Sequence, residues 1–172
     1  MANKNALTSI GLVVAVALED PQATPIVRPT TNYYKIPGVT DLPDLDFDPD
    51  TIETTSYDNE EFKSYLPGLK DTGGVISLPA NYTEYGVGMW DDMAADLEAD
   101  SSIKAWLLIA IKGTTRRWFI PAKLVATGVP TAPVNDKVST SYKFTVLGDI
   151  VKQTISDTDI ASYYASGDYP LQ

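Results

Sequence analysis

Short apolar stretches separated by turn residues predict a chain built mainly of strands. The clearest alternation is Val138–Leu147, where large side chains face one way and small polar ones the other. Gly73–Tyr82 and Arg116–Val125 alternate in the same way, and a Lys112–Thr115 turn before the latter predicts a hairpin. Ile103–Ile111 is almost wholly apolar, which favours a central strand.

Weaker strand signals lie in the first third of the chain. The apolar run Ile10–Ala17 predicts a strand that is buried or in contact with another copy. Residues 19–32 are rich in proline and threonine and predict an extended loop. Asn32–Ile36 predicts a short strand before a turn, and the β-branched run Thr51–Ser56 predicts another.

One segment, Tyr85–Ala99, has helical periodicity. Asn81 and Glu84 are the predicted N-cap pair of this helix. Its apolar stripe consists of Met89, Trp90, Met93 and Leu97, and core packing explains that stripe better than a cofactor does. The predicted fold is therefore mainly β, a sandwich or barrel with one flanking α-helix, and residues 1–172 are expected to form one domain.

The longest predicted connection is Tyr57–Lys70, which joins two short strands, Thr51–Ser56 and the strand that begins at Val75. Loops of this length inside a compact domain are uncommon and are usually functional or disordered. Aromatic and leucine side chains among its charges predict a contact surface. They are Tyr57, Phe62, Tyr65, Leu66 and Leu69.

Composition narrows the possible chemistry. The chain contains neither cysteine nor histidine, which removes thiolate nucleophiles, the commonest general base and the usual zinc ligands. The formal charge of −10 argues against a protein that grips nucleic acid. Paired carboxylates are the remaining acid–base chemistry, and 23 acidic residues make accidental pairs unavoidable. No cofactor, metal or catalytic residue is predicted.

Three local patterns resemble functional motifs and fail on detail. The acidic run from Asp44 has Pro49 where a calcium loop needs glycine and Thr55 where it needs glutamate. Gly86 and Gly88 lack the third glycine and the βαβ setting of a dinucleotide loop. The apolar run after residue 9 is too short to span a bilayer and makes a poor signal peptide, so no membrane or secretory role is expected.

Several short motifs occur in a fixed order over most of residues 6–147. The central ones are Pro43…Pro49-x-x-x-Glu53-Thr54-Thr55 and Tyr65-x-Pro67-Gly68-Leu69-x-Asp71-x-Gly73-Gly74. The flanking ones are Ala6-Leu7-Thr8-Ser9-Ile10-Gly11, Arg28-Pro29-Thr30-Thr31, Ile36-Pro37-Gly38-Val39-Thr40 and Gly128-Val129-Pro130…Val134-Asn135-Asp136. As an ordered set, they resemble the major tail tube proteins of bacteriophages with long, non-contractile tails.

This resemblance implies a structural virion protein without enzymatic activity. Six copies would form a ring, rings would stack into a tail tube, and strands of each copy would continue one lumen wall. The implied partners are further copies, the tape-measure, tail-tip and terminator proteins, and DNA as a transient passenger. Assembly would take place in the bacterial cytoplasm. The arm that reaches the next ring would be residues 57–70, and the C-terminal extension would be residues 148–172.

Two features of the assembled tube are predicted in more detail. Acids near the arm are expected to pair with cations such as Arg116 and Arg117 on an adjacent copy. The candidate lumen-facing residues are small or acidic, and Lys123 and Lys143 on similar faces oppose that picture. The candidates are Glu53, Thr55, Ser77, Asn81, Ser139, Ser141 and Thr145.

The C-terminal residues 148–172 contain a single possible helical turn, Asp157–Tyr164. They are predicted either to be loosely held or to dock on a neighbouring copy. Two alternatives for the whole chain remain open. One is a monomeric ligand-binding or carboxylate-hydrolase β-barrel. The other is a ring protein of a related contractile or secretion tube.

Overall fold

The computed structural model describes residues 11–45, 49–53, 65–70, 74–134 and 136–171. Nine strands and two helices account for the regular structure of these residues. The strands are β1 (Leu12–Leu18), β2 (Tyr34–Lys35), β3 (Pro49–Glu53), β4 (Tyr65–Lys70), β5 (Val75–Asn81), β6 (Ala105–Ile111), β7 (Arg116–Val125), β8 (Ser139–Val146) and β9 (Val151–Thr154). The helices are α1 (Glu84–Ala99) and α2 (Asp157–Ala161). The prediction of a mainly β fold with one flanking helix is confirmed.

Seven of the strands form one curled antiparallel sheet in the order β2-β1-β6-β7-β8-β5. The seventh, β9, pairs with β7. β7 is ten residues long and pairs with β6 along one edge. Its other edge is shared, because residues 116–119 pair with β9 and residues 122–125 pair with β8. β8 and β9 therefore cover this edge one after the other, and the whole sheet curls into half of a barrel.

Strands β1 and β6 are central because both of their faces are buried. Val14, Val16 and Leu107 point into the main core, whereas Ala15 and Leu108 point into a second cluster on the other side of the sheet. A continuous apolar sequence, rather than an alternating one, is what such a doubly covered strand needs. The prediction that residues 103–111 form a central strand is confirmed.

Helix α1 covers the main-core face of the sheet. Met89, Trp90, Met93 and Leu97 are buried there, as the apolar stripe predicts. The Trp90 indole Nε1 donates a hydrogen bond to the Val125 carbonyl at 2.9 Å and ties the helix to the end of β7. The predicted N-cap is wrong: Thr83 caps the helix, with its hydroxyl accepting from the Gly86 amide. Asn81 instead ends β5, because pairing with Ser139 holds it in the sheet.

The early strands belong to two different sheets. β3 pairs with β4 in a separate two-stranded sheet, with Glu53 opposite Tyr65. The strand that begins at Val75 joins the main sheet beside β8. Residues 65–70 are therefore a strand and not part of a loop. A Pro-Gly pair within Y-L-P-G-L-K hides β4 from pattern analysis, since both residues are depleted in strands.

The start of α1 gives a prediction about stability. A Cβ atom at Gly86 would lie 2.6 Å from the Thr83 hydroxyl and 2.9 Å from Pro37 Cγ, and closer still to the Tyr142 hydroxyl. Gly86→Ala should lower the free energy of unfolding by about 1–3 kcal/mol through overpacking. Gly88→Ala is the control, because it makes the same helix-favouring change and meets only the Leu171 side chain at 3.3 Å. Urea unfolding of both variants tests this; equal stabilities would contradict it.

Candidate assembly surface

The outer face of the sheet, opposite α1, is covered over β1, β6 and the first half of β7. The C-terminal residues 151–164 supply most of this cover, with Ile160 buried against Tyr33, Leu108 and Phe119. Tyr33 and Phe119 meet edge to face, with ring centroids 6.0 Å apart. Because both faces of these strands are buried, they offer no surface for a partner.

A buried ion pair fastens this cover to the β6–β7 turn. The guanidinium of Arg117, with 0% exposure, donates from Nη2 to Asp157 Oδ1 at 2.5 Å. Its Nη1 donates to the Ile111 carbonyl and to the Thr114 hydroxyl. The other carboxylate oxygen of Asp157 accepts from the Gly113 amide at 3.2 Å. Asp157 therefore joins the C-terminal residues to the turn at two points.

This ion pair corrects one prediction. Arg117 is buried and is paired with Asp157 of its own chain, so it is not available to the acids of an adjacent copy. Arg117 shares the outer face of β7 with Phe119 and Lys123, and the sequence did not show that the C-terminal residues cover that face. Arg116 remains exposed at the start of the strand.

The last residues of the chain also pack on their own domain. Tyr169 donates from its backbone amide to the Tyr85 hydroxyl at 2.7 Å and from its hydroxyl to Asp96 at 3.0 Å. Its ring meets Tyr34 edge to face at 5.1 Å. The structure thus gives residues 151–171 extensive contacts with their own chain, where the sequence predicted loose or intermolecular attachment. Strand β9 was missed because V-K-Q-T is short and alternates weakly.

The rest of the outer face is accessible, and we call it the open face. It comprises the outward side chains of β5, β8 and the last third of β7. These are Val75, Ser77, Pro79, Asn81, Ser139, Ser141, Lys143, Thr145, Lys123 and Val125. Val75 is 56% exposed and Val125 is 38% exposed. None of these side chains is a carboxylate, although the chain has 23 acidic residues.

Five of the seven candidate lumen residues share this open face, namely Ser77, Asn81, Ser139, Ser141 and Thr145. The register also puts Lys143 opposite Ser77 and Lys123 opposite Thr145. The face is therefore neutral to basic, and acidic residues do not contribute to it. Glu53 lies apart from it, exposed at the end of β3, and Thr55 lies outside the described residues. Whether this face lines a lumen stays a prediction.

The candidate arm residues are only partly described. Tyr65, Leu66 and Leu69 lie on β4, paired with β3. Tyr57 and Phe62 lie outside the described residues. The β3–β4 hairpin forms a sheet of its own, so its backbone pairs with no strand of the main sheet in the described part of the chain.

Nothing in the described residues suggests a catalytic centre. Histidine, cysteine, aspartate and glutamate form no group of three or more there that could hold a metal ion. Among the same residues, no helix is both long and apolar enough to cross a membrane.

No protein-family model matches the chain, and no curated protein matches it. Among the solved structures that share its fold are two assemblies. A chain in the cryo-electron microscopy structure of the anti-feeding prophage baseplate, 6-fold symmetrised, is 12% identical, with a TM-score of 0.60. That match covers 89% of this chain and 98% of the baseplate chain. A chain in the virion of a native gene transfer agent particle is 13% identical, with a TM-score of 0.55, and the match covers 87% and 100%. Identities this low establish the fold alone.

The Arg117–Asp157 pair gives the first prediction from this region. Asp157→Ala leaves the buried guanidinium without its counter-charge. The free energy of unfolding should fall by about 2 kcal/mol, less than the ~3–5 kcal/mol of a fully buried pair, because the Asp157 side chain is 53% exposed. Asp149→Ala, which removes an exposed acid of the same segment, is the control. Chemical unfolding of the two variants measures the difference, and an Asp157 variant as stable as the control would contradict the role of the pair.

Burial of tyrosines in these clusters predicts a loss of stability at alkaline pH. Burial raises the pKa of Tyr33 well above its ordinary value. The unfolded chain therefore loses its tyrosine protons first, so stability should hold up to about pH 9 and fall as the pH rises past about 10. Tyr33→Phe should reduce this fall, while Tyr142, Tyr164 and Tyr169, whose pKa values are also raised, keep part of it. Equal pH slopes for the two proteins would contradict the assignment.

Proposed function

We propose that this chain is a structural protein of a phage-type particle and that it works by assembling with copies of itself. More specifically, we propose that six copies form a ring and that rings stack into a tail tube through which DNA passes. The observation that carries the proposal is the fold shared over 89% of the chain with a component of a prophage baseplate. The ordered motifs of the sequence support the finer assignment to a tail tube.

The β3–β4 hairpin supports an assembly role. A two-stranded hairpin standing alone is at best marginally stable in water. This one pairs only with itself among the described strands. A strand or surface of another copy would give it the further partner that it does not have among the described strands. We therefore propose that the hairpin and the residues between its strands, including Tyr57 and Phe62, contact the next ring.

Charge supports a conduit more than a binding protein. A ring of six copies would carry a formal charge of six times −10, or −60. Such an assembly repels phosphate at long range, which would let DNA move without being held. The net charge of the ring does not show which face lines the lumen, because the charge is unevenly distributed over the domain.

Two rival interpretations make different predictions. A ring protein of a contractile or secretion tube would share the fold and the self-assembly, and would differ in its partners. A monomeric β-barrel that binds a ligand or hydrolyses a substrate would not assemble. A composition without histidine or cysteine gives the last interpretation only accidental carboxylate pairs as acid–base groups.

Microscopy of the concentrated protein tests the proposal. Negative-stain images should show rings or hollow tubes, because a ring-forming chain associates as its concentration rises. Dispersed 18.7 kDa particles at every concentration, or turnover of a substrate by the purified chain, would contradict the proposal.

A redesigned hairpin tests the role of the arm. Glu53 and Tyr65 are cross-strand partners, so a two-residue Asn-Gly turn can replace residues 54–64 and keep β3 and β4 paired. This variant should unfold at the same urea concentration as the parent chain and should no longer form stacked tubes. The control exchanges only Tyr57 and Phe62 for serine, which keeps the length and should weaken stacking partially. Tubes of unchanged length from the Asn-Gly variant would exclude the arm from the contact.

A further inference from the structure

The acidic residues of this chain are concentrated in one stretch. Residues 36–62 contain nine aspartates and glutamates and neither lysine nor arginine. Within it, Leu42 and Leu45 pack against the main core. Their neighbours Asp41 and Asp44 are exposed. The leucines therefore turn inward, and the exposed carboxylates of Asp41 and Asp44 form an acidic strip that follows the segment bonded to the edge of β5.

The open face has the opposite character. Lys123 and Lys143 are exposed on neighbouring strands and are diagonal neighbours in the pairing of β7 with β8. In such diagonal pairs the two Cα atoms are roughly 7–8 Å apart. Neither ammonium forms an ion pair within the part of the chain that the structure describes. Ser77 and Thr145 beside them are small, and Val75 and Val125 supply apolar area.

These two surfaces do not meet within one molecule in the described part of the chain, where neither lysine forms an ion pair with Asp41 or Asp44. Residues 38–40 are bonded to the edge of β5, whereas Lys123 and Lys143 point outward from β7 and β8. A contact between them in an assembly would join two copies and would use a different surface on each. Contacts of this heterologous kind produce rings when they close and filaments when they do not.

We propose that the open face, centred on Lys123 and Lys143, binds the acidic strip around Asp41 and Asp44 of a second copy. This inference rests on the proposed self-assembly and names the surfaces that carry it. Lysine–carboxylate pairs at such a contact set its orientation and its association rate, and the two valines supply the apolar area beneath them.

A nucleic acid fits the open face less well than a second copy. Proteins that grip a duplex commonly neutralise about 6–10 phosphates, and this face offers two cations on a chain with a net charge of −10. An acidic protein surface matches two lysines flanked by valines and small side chains. The strip offers one carboxylate for each lysine, Asp41 and Asp44, with the apolar residues Leu42 and Pro43 between them.

Charge-reversal variants that complement each other test the contact. K123E/K143E makes the open face acidic, and D41K/D44K makes the strip basic. Each variant alone should assemble only at a concentration at least ~10-fold higher than the parent, because each pair of surfaces then carries like charges. An equimolar mixture should assemble again, since copies that alternate restore both attractions.

Controls separate the contact from misfolding and from general charge effects. K104E/K112E changes the net charge equally at two exposed lysines outside the open face and should assemble like the parent. Urea midpoints of all variants should match that of the parent. Assembly of the parent should weaken as salt rises from 0.1 to 1 M, where the Debye length falls from about 10 to about 3 Å.

A zero-length carbodiimide cross-linker identifies the partners directly. In a mixture of isotopically light and heavy parent copies, we expect light–heavy links between a peptide holding Lys123 or Lys143 and one holding Asp41 or Asp44. If the parent assembles and K123E/K143E assembles equally well, the contact is wrong and the open face remains a candidate lumen wall, while the proposed function stands. If the parent itself never assembles, the proposed function fails and the contact fails with it.

Discussion

Strand β7 is paired on both edges and is buried on both faces in its middle, at residues 119–122, and the rest of the structure depends on this constraint. One edge is paired along most of its length with β6, while the other is divided between β8 and β9. One face of β7 carries Ile120 and Leu124 into the core under α1, and the other carries Phe119 into the second cluster. β8 and β9 follow each other along that second edge, so residues 143–154 cover it in two pieces, joined where the Leu147 amide donates to the Pro121 carbonyl.

That constraint also decides which surfaces remain for partners. The C-terminal residues cover the outer face only as far as β9 reaches along β7. Beyond that point β8 and β5 keep their outer side chains accessible, and those side chains are hydroxyls, lysines and valines. The acidic strip follows residues 38–40, which are bonded to the edge of β5. The proposed contact joins this strip to the carboxylate-free face of another copy.

Sequence patterns predicted the elements whose own residues show a clear strand or helix periodicity. The alternation of Val138–Leu147 became β8, the apolar run before Lys112 became the central strand, and the stripe from Met89 to Leu97 became the buried face of α1. The pairing of β3 with β4 was not predictable, because β4 carries Pro67 and Gly68 and because register depends on partners far away in sequence. The burial of Arg117 was missed for the same reason: its counter-charge lies forty residues away.

The open face shows how much of a candidate site can be predicted from the sequence. Alternation alone placed Ser139, Ser141, Lys143 and Thr145 together, and the structure confirms that they share a face. What the sequence lacked was the cross-strand register, which brings Lys123 beside Thr145 and Ser77 opposite Lys143. Without the register, the two lysines only opposed the prediction of an acidic lumen. With the register, they lie at the centre of the open face.

Self-assembly is the central claim, and sedimentation velocity over a wide concentration range tests it most directly. The account predicts that the 18.7 kDa chain gives way, as concentration rises, to species of six times that mass, about 112 kDa, and to larger stacks of them. A single species of 18.7 kDa at every concentration would contradict it.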